Sequence, residues 1–179
     1  MRLHFAPRTR AARVRWLLEE LEVPYELVRE EARASSTHPS GDVPRLVDGE
    51  VTLFEASAMC LHLVERFPER GMAPRVGSPQ RAEFLQWLLF AELRVEPRVL
   101  ELRANPDLSR EPLQSALAVI DDRLSTREFL AGDVFSAADL VTASILHLAH
   151  ASGLLEAWPR LGDYVKRLTF RPASRRAVS

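Results

Sequence analysis

A short segment holding a proline, an Asp-Gly pair and two apolar runs constrains the fold more than any other part of this chain. Val43-Pro44 stands before the first run, residues 45–47, and Asp48-Gly49 separates that run from the second, residues 51–54. Asp-Gly between β-prone runs favours a hairpin, because a tight turn needs a positive φ angle, which Asp tolerates and Gly favours. Proline cannot donate to a β ladder, so Pro44 marks the start of a strand. The segment therefore predicts a β-hairpin.

A helix lies between two strands on the N-terminal side of this hairpin. Residues 3–5 form a short apolar run, and residues 25–28 alternate like a strand. From Ala11 onward the apolar residues recur at helical spacing, and this predicts a buried stripe made of Val14, Leu17, Leu18 and Leu21. Val23-Pro24 ends the helix, because proline disfavours helical geometry in the residue before it. The pattern is a βαβ unit that precedes the hairpin.

The hairpin is followed by a helix and then by a change in composition. Glu55 opens a helical pattern, in which its carboxylate complements the positive helix N-terminus, and Pro68 ends it. Three prolines and two glycines fall within residues 68–79, which indicates a linker. The sequence thus predicts two domains, residues 1–70 and residues 78–179.

The second predicted domain is helical throughout. Ser78-Pro79 suits an N-cap followed by the first helical position. Glu96-Pro97 predicts a kink within a long helix, because an internal proline removes a hydrogen bond. Ser136 and Asp139 have the spacing of a capping box, which predicts a helix that begins there.

Composition excludes several classes of function. The chain has 179 residues and a net charge of -1, which is not the basic footprint of a nucleic-acid-binding protein. The single cysteine, Cys60, excludes an internal disulfide, and the first residues lack the pattern of a signal peptide, so we expect a cytoplasmic protein. The five histidines show no metal-ligand spacing, and no run is apolar enough to span a membrane. We therefore expect no nucleic-acid, membrane or metal partner.

The hairpin segment and the capping box also carry a family resemblance. Val43-Pro44, Asp48-Gly49, residues 53–59 and the Ser136/Asp139 box occur in an order that resembles the cytosolic glutathione S-transferase family, most closely a shortened bacterial member of the Ser/Thr type. The resemblance covers essentially the whole chain. It implies an α+β N-terminal thioredoxin-like domain that binds glutathione, followed by an all-α helical-bundle domain. It also implies glutathione as co-substrate, a homodimer and a role in detoxification.

The resemblance makes Thr9 the candidate catalytic residue. In the family, a side chain near the end of the first strand donates a hydrogen bond to the glutathione sulfur and so stabilises the thiolate. Thr9 is the only hydroxyl-bearing residue before Pro24, and no cysteine precedes Cys60. Thr9 also stands four residues before Arg13, as the serine does in Ser-dependent members. The alternative role of Thr9 is a helix N-cap, and one hydroxyl could serve both purposes.

The resemblance assigns the rest of glutathione to two further segments. In the family the proline at the position of Pro44 is cis, and the backbone of Val43 binds the cysteinyl part; the alternative is an ordinary trans turn proline. Glu55 and Ala56 align with an acid-Ser pair that binds the γ-glutamyl end. Ala56 lacks the hydroxyl. Ser57 is included in the candidate site, but it lies about 100° further round the helix and cannot simply replace the lost hydroxyl.

Residues 30–42 depart from the family pattern. They show no apolar period, so the helix that the family carries there is expected to be missing, although the turn at residues 38–44 remains. The family uses this region to hold the glycine end of glutathione.

Two functions follow from the resemblance. The first is a glutathione S-transferase, in which the glutathione thiolate attacks a small apolar electrophile. The second is a non-catalytic binding or regulatory module with the same fold. Thr9 and Glu55 favour the enzyme, whereas Ala56 and the missing helix favour the module.

Overall fold

The computed structural model describes residues 1–30 and 43–178, which form two compact units. In chain order the elements are β1 (Arg2–Phe5), α1 (Ala11–Leu21), β2 (Glu26–Arg29), β3 (Arg45–Asp48), β4 (Val51–Leu53), α2 (Ala56–Arg66), a 3-10 helix (Pro68–Arg70), α3 (Pro79–Phe90), a π-helix (Ala91–Val95), α4 (Glu96–Ala104), α5 (Glu111–Thr126), α6 (Ala137–Ala151), α7 (Pro159–Thr169) and α8 (Pro172–Val178). The first unit comprises residues 1–72 and α8, and the second comprises residues 73–171.

The first unit is built on a four-stranded sheet in the order β2-β1-β3-β4. β1 runs parallel to β2 and antiparallel to β3, which in turn is antiparallel to β4. Every residue of the predicted α1 stripe is fully buried, as the helical spacing requires. The predicted strands and helices on either side of residues 31–42 are confirmed, whereas the predicted loss of a helix there lies outside the described residues.

The hairpin turn differs in one detail from the prediction. Asp48 remains in β3 and pairs with Val51, so the loop consists of Gly49 and Glu50 alone. Gly49 has a φ angle of 61°, while Glu50 stays outside the positive range. A two-residue loop with positive φ at its first residue is the II′ arrangement, for which glycine is the suitable residue. Asp48 is therefore part of β3 and not of the turn, and its carboxylate is available to contact another element.

The second unit is helical, as predicted. The hydroxyl of Ser78 caps α3 by accepting a hydrogen bond from the Arg81 N–H over 3.3 Å. Pro97 does not end the long helix; instead α3 passes through the π-helix into α4, and the Glu96 N–H donates to the Ala91 carbonyl five residues earlier. The disturbance predicted at Pro97 therefore takes the form of one π turn within a continuous helix.

α6 forms the centre of the second unit, and a buried hydrogen-bond cluster holds its N-terminus. The predicted capping box is present, with both Ser136 and Asp139 making the reciprocal bonds. Asp139 is fully buried and also accepts from the Leu130 N–H at 2.8 Å and from the Tyr164 hydroxyl at 2.9 Å. Burial raises the pKa of Asp139, while the hydrogen bonds from Leu130, Tyr164 and Ser136 act in the opposite direction. Burial and the neighbouring carboxyl raise the pKa of Tyr164.

The α+β first unit and the all-α second unit confirm the predicted fold class. One difference concerns the end of the chain. The predicted second domain runs to residue 179, whereas α8 packs against α1 and belongs by its contacts to the first unit.

Candidate functional site

The topology of the sheet brings three of the predicted site segments to one end of the sheet. His4, near the end of β1, pairs with Arg45 at the start of β3. Leu46 of β3 pairs with Leu53 at the end of β4. Because neighbouring antiparallel strands end and begin at the same edge, the segment after β1, the segment before β3 and the segment after β4 meet there. These are the segments that carry Thr9, Val43-Pro44 and Glu55.

The Val43-Pro44 peptide bond is cis, as the resemblance implied. Val43 is buried, and Arg45 begins β3 directly after the proline. Pro44 has no N–H to offer to β1, and its position directly before β3 leaves the ladder intact.

Thr9 lies in the loop between β1 and α1, and its hydroxyl makes two local hydrogen bonds. It donates to the Ala6 carbonyl oxygen over 2.7 Å and accepts from the Ala11 N–H over 3.3 Å. The N-cap residue itself is Arg10, whose side chain makes no capping bond. The hydroxyl therefore serves the first turn of α1, which supports the capping role. Its only hydrogen is directed at Ala6.

Glu55 stands immediately before α2 in an unusual backbone conformation. Its φ angle is 67° and its ψ angle is 117°, a region that residues other than glycine rarely adopt, and its side chain is exposed. Such a conformation costs on the order of 1–3 kcal/mol and is concentrated at functional sites. The first N–H groups of α2 have no partner within the helix, so this end of α2 can bind an anion.

Ala56 and Ser57 begin α2, and both side chains are buried. Ala56 is fully buried, and Ser57 is 5% exposed. The Ser57 hydroxyl oxygen is buried without a hydrogen-bond partner among the described residues. A buried hydroxyl without a hydrogen-bond partner lowers the stability of the fold. The Ser57 hydroxyl is notable for this reason, and it stands one residue after Ala56, where the family pattern has a serine.

The buried carboxylate of Asp48 connects β3 to α2, although the sequence pattern predicted a turn residue at this position. Asp48 Oδ2 lies 2.9 Å from His62 Nε2 and accepts from Arg66 Nε over 2.9 Å. Only 6% of the Asp48 side chain is exposed, whereas Arg66 reaches into solvent. Sequence spacing gave no sign of this cluster, because Asp48 precedes His62 by 14 residues. The contact fixes α2, and with it Glu55, against the sheet.

Within residues 1–30 and 43–178, His, Cys, Asp and Glu side chains nowhere gather into a group that could ligate a metal. None of the helices in these ranges combines the length and the apolarity needed to cross a membrane.

Comparison with known proteins agrees with this arrangement. The family model for the glutathione S-transferase N-terminal domain matches residues 2–65, and that for the C-terminal domain matches residues 95–167. The chain is 32% identical to glutathione S-transferase 4 of Zea mays, over 90% of this chain and 83% of that protein. The chain belongs to the glutathione S-transferase family. Its two matched regions fall within the two structural units.

Two further proteins show the range of this similarity. The chain is 27% identical to dichloromethane dehalogenase of Methylorubrum extorquens, over 96% of this chain and 72% of that protein. A sphingomonad glutathione S-transferase solved in complex with glutathione superimposes with a TM-score of 0.88 at 28% identity, covering 99% of this chain and 97% of the other. The fold of this family member is therefore that of a protein seen with glutathione bound.

Proposed function

We propose that this protein is a glutathione S-transferase that joins the glutathione thiolate to a small apolar electrophile. The observation that carries the proposal is the meeting of Val43-Pro44 and Glu55, with its positive φ angle, at one end of the sheet. The similarity to a sphingomonad transferase solved with glutathione supports glutathione as the ligand. The similarity to a protein named dichloromethane dehalogenase supports a small apolar electrophile.

Each part of glutathione has a proposed partner in the first unit. The backbone of Val43 pairs with the cysteinyl part, and Glu55 receives the α-amino group of the γ-glutamyl end. The N–H groups of Ala56 and Ser57, at the N-terminus of α2, receive its carboxylate. The hydroxyl that would add a further bond is absent at Ala56, and the buried Ser57 hydroxyl has no hydrogen-bond partner within residues 1–30 and 43–178. We therefore expect weaker binding of glutathione than a serine at position 56 would provide.

Thr9 is the proposed donor to the sulfur. Glutathione releases its thiol proton to solvent, and the thiolate then attacks the electrophilic carbon. A carbon–sulfur bond forms, and the leaving group departs with the electron pair of the bond that breaks. A hydrogen bond from Thr9 stabilises the thiolate and lowers the pKa of the bound thiol. To make that bond, the hydroxyl must turn away from the Ala6 carbonyl, which it contacts at 2.7 Å.

Calorimetric titration of the protein with glutathione, followed by turnover with an activated aryl chloride, tests this function. Binding together with conjugate formation supports the enzyme. Absence of binding to the unmutated protein would reject glutathione as the ligand and the enzyme with it.

The second candidate is a non-catalytic module with the same fold. The hydrogen bond from Thr9 to Ala6 and the missing hydroxyl at Ala56 favour it. The two candidates differ in one measurable respect, because the module binds glutathione or another ligand without forming conjugate at any pH.

A homodimer is the proposed assembly, in a cytoplasmic setting that suits the single, buried cysteine Cys60. A groove of about 400 Å³ runs between α5 and the long helix made of α3, the π-helix and α4. Its lining combines the apolar residues Phe90, Leu93, Pro97, Pro112, Ala116 and Val119 with the polar residues Arg94, Arg98, Glu101 and Ser115. Leu93 is 65% exposed and Val119 is 48% exposed, so the groove presents aliphatic surface to solvent. We propose that a second copy of the chain covers this groove.

A further inference from the structure

The last helix of the chain is part of the first unit. α8 follows α7 after Phe170 and Arg171, yet its contacts are with α1, more than 150 residues earlier. Ala173, Ser174 and Ala177 are buried, with exposures of 5%, 7% and 5%. These residues have the spacing of one helix face, so α8 presents a small-residue face to α1. The chain therefore leaves the first unit at residue 72 and returns to it at residue 172.

A polar junction at Glu19 fastens α8 to α1 and to the start of β2. Arg176 Nε donates to Glu19 Oε2 over 2.6 Å, and Arg176 Nη2 donates to the Glu19 carbonyl over 3.3 Å. On its other oxygen, Glu19 accepts from the Tyr25 hydroxyl over 2.6 Å. Tyr25 directly precedes β2. One carboxylate thus joins three segments of the first unit: α1, the residue before β2, and α8.

Neither α1 nor α8 is long enough to be stable alone. α1 has 11 residues and α8 has seven, whereas an isolated helix in water needs about 12–15 residues even with a favourable sequence. Both helices therefore depend on the apolar surface that they bury. α1 buries Leu17, Leu18 and Leu21 completely, and Trp16 is 4% exposed. Loss of α8 uncovers part of the α1 surface and leaves α1 held mainly by the sheet and α2.

We propose that α8 is a strap that keeps α1 ordered, and that this last helix thereby controls glutathione binding from the far end of the chain. The first turn of α1 follows Thr9, so a loosened α1 displaces the proposed partner of the sulfur. This consequence for binding rests on the function proposed above. The dependence of α1 on α8 does not, because it follows from burial and hydrogen bonds alone.

Hydrogen exchange of the full-length protein, followed by mass spectrometry, tests the strap. Ala177→Glu places a charge on the buried face of α8, and Arg176→Ala removes the junction with Glu19 while leaving that face intact. Arg160→Ala is the matched control. It removes an arginine–carboxylate contact with Asp121 in the second unit, and the side-chain exposures of the pair, 47% and 23%, are close to the 52% and 19% of Arg176 and Glu19.

If α8 is a strap, the variants of α8 should exchange faster in α1 and at an unchanged rate in the second unit. In Ala177→Glu the amides of α1 should exchange at least about tenfold faster, the factor that corresponds to about 1.4 kcal/mol. Arg176→Ala should change the same amides in the same direction by a smaller factor, and Arg160→Ala should leave them unchanged. Unchanged exchange in α1 while α8 itself becomes fully exchangeable would overturn the proposal. Equal acceleration in α1 and α6 would also overturn it, since a local strap cannot destabilise both units equally.

Glutathione titration of the same variants separates the strap from the proposed function. If the unmutated protein binds glutathione, its affinity should fall in Ala177→Glu by the factor by which the fraction of molecules with an ordered α1 falls, as read from the exchange of α1. Unchanged affinity in a variant whose α1 is largely disordered would reject the control of binding by α8. If the unmutated protein does not bind glutathione, the proposed function fails, and the exchange rates alone decide whether α8 orders α1.

Discussion

The Thr9 hydroxyl donates its hydrogen to the Ala6 carbonyl oxygen over 2.7 Å. A hydroxyl has one hydrogen and two acceptor sites, so this bond and one to a sulfur atom cannot form at the same time through the same hydrogen. The bond to Ala6 ties the end of β1 to the start of α1, and the bond from Ala11 supports the first helical turn. Thr9 is therefore a structural residue in this conformation, and the proposed catalytic role requires rotation about the side-chain bond.

Substitution of Thr9 distinguishes these roles. Thr9→Val keeps the shape and removes the hydroxyl, so it should lower the free energy of unfolding by about 1 kcal/mol whatever the role in catalysis. If Thr9 donates to sulfur, the pKa of the bound thiol rises and turnover at neutral pH falls about ten- to a hundredfold, with partial recovery at high pH. Thr9→Ser, which keeps the hydroxyl, should retain turnover. Identical thiolate titrations for all three proteins would leave Thr9 with a structural role only.

The N-terminus of α2 offers a gain-of-function test. Ala56→Ser restores the hydroxyl that the family pattern has at this position, and we expect glutathione to bind about tenfold more tightly or better, as a hydrogen bond to a charged group allows. Ala58→Ser, which adds a hydroxyl to an exposed position of the same helix, is the control. Isothermal titration gives the dissociation constants, and equal values for both variants would contradict the proposed carboxylate site.

Ser57→Ala provides the complementary measurement. The Ser57 hydroxyl has no partner among the described residues, so its removal should leave the protein as stable as before or more stable. Thermal unfolding without ligand measures this effect. If the variant also binds glutathione normally, the Ser57 side chain is not part of the ligand site; a loss of affinity would place its hydroxyl on the ligand.

The cluster at the start of α6 predicts a graded loss of stability. Ser136→Ala should cost about 1 kcal/mol, the usual effect of losing a cap. Asp139→Ala should cost more, about 3 kcal/mol, because it leaves the buried donors of Leu130 and Tyr164 without an acceptor. Asp163→Ala, an exposed change in α7, should have little effect. Urea unfolding measures all three, and a cost for Ser136→Ala that equals or exceeds that for Asp139→Ala would show that the buried donors find other partners.

The exposed apolar groove predicts a defined assembly. Leu93→Glu places a charge among the apolar residues of the groove and should convert a dimer into a monomer, as measured by light scattering after gel filtration. Val134→Glu is the matched control, because Val134 is 62% exposed against 65% for Leu93 and does not line the groove. A dimer that survives Leu93→Glu would place the contact between subunits elsewhere.

The Glu19 junction predicts a dependence of stability on pH. Burial alone would raise the pKa of Glu19, but the hydrogen bonds from Tyr25 and Arg176 and the charges of Arg176 and Arg15 outweigh it and hold the pKa below its ordinary value. A carboxyl with a lowered pKa in the fold stabilises the fold above its ordinary pKa, and this contribution is lost as the pH falls. Arg176→Ala should therefore lower the Tm near pH 7, and the difference in Tm should shrink as the pH falls below the ordinary pKa of glutamate, about 4.3, and Glu19 becomes protonated. A Tm difference of the same size at pH 7 and at pH 3 would show that Arg176 acts through packing and not through charge.

The amino-acid sequence alone determined the order of the helices and strands. The spacing of apolar residues and the residues that begin or end an element are local properties. The stripe of α1, the Val43-Pro44 strand start, the Ser78 cap and the Ser136/Asp139 box each depend on residues within one or two turns of one another. Local steric and hydrogen-bonding rules act over that range, so the structure agrees with them. Family membership followed from the same short motifs taken in order.

Only the tertiary structure decided which residues far apart in the sequence form hydrogen bonds and ion pairs with one another. Asp48 was predicted as a turn residue, but Gly49 alone accommodates the positive φ angle, and the carboxylate of Asp48 binds Arg66 instead. Tyr164 reaches Asp139 across 25 residues, and Arg176 reaches Glu19 across 157. No spacing in the sequence signals these contacts, because a charged or polar side chain takes the partner that folding brings to it, and burial then makes that partner necessary.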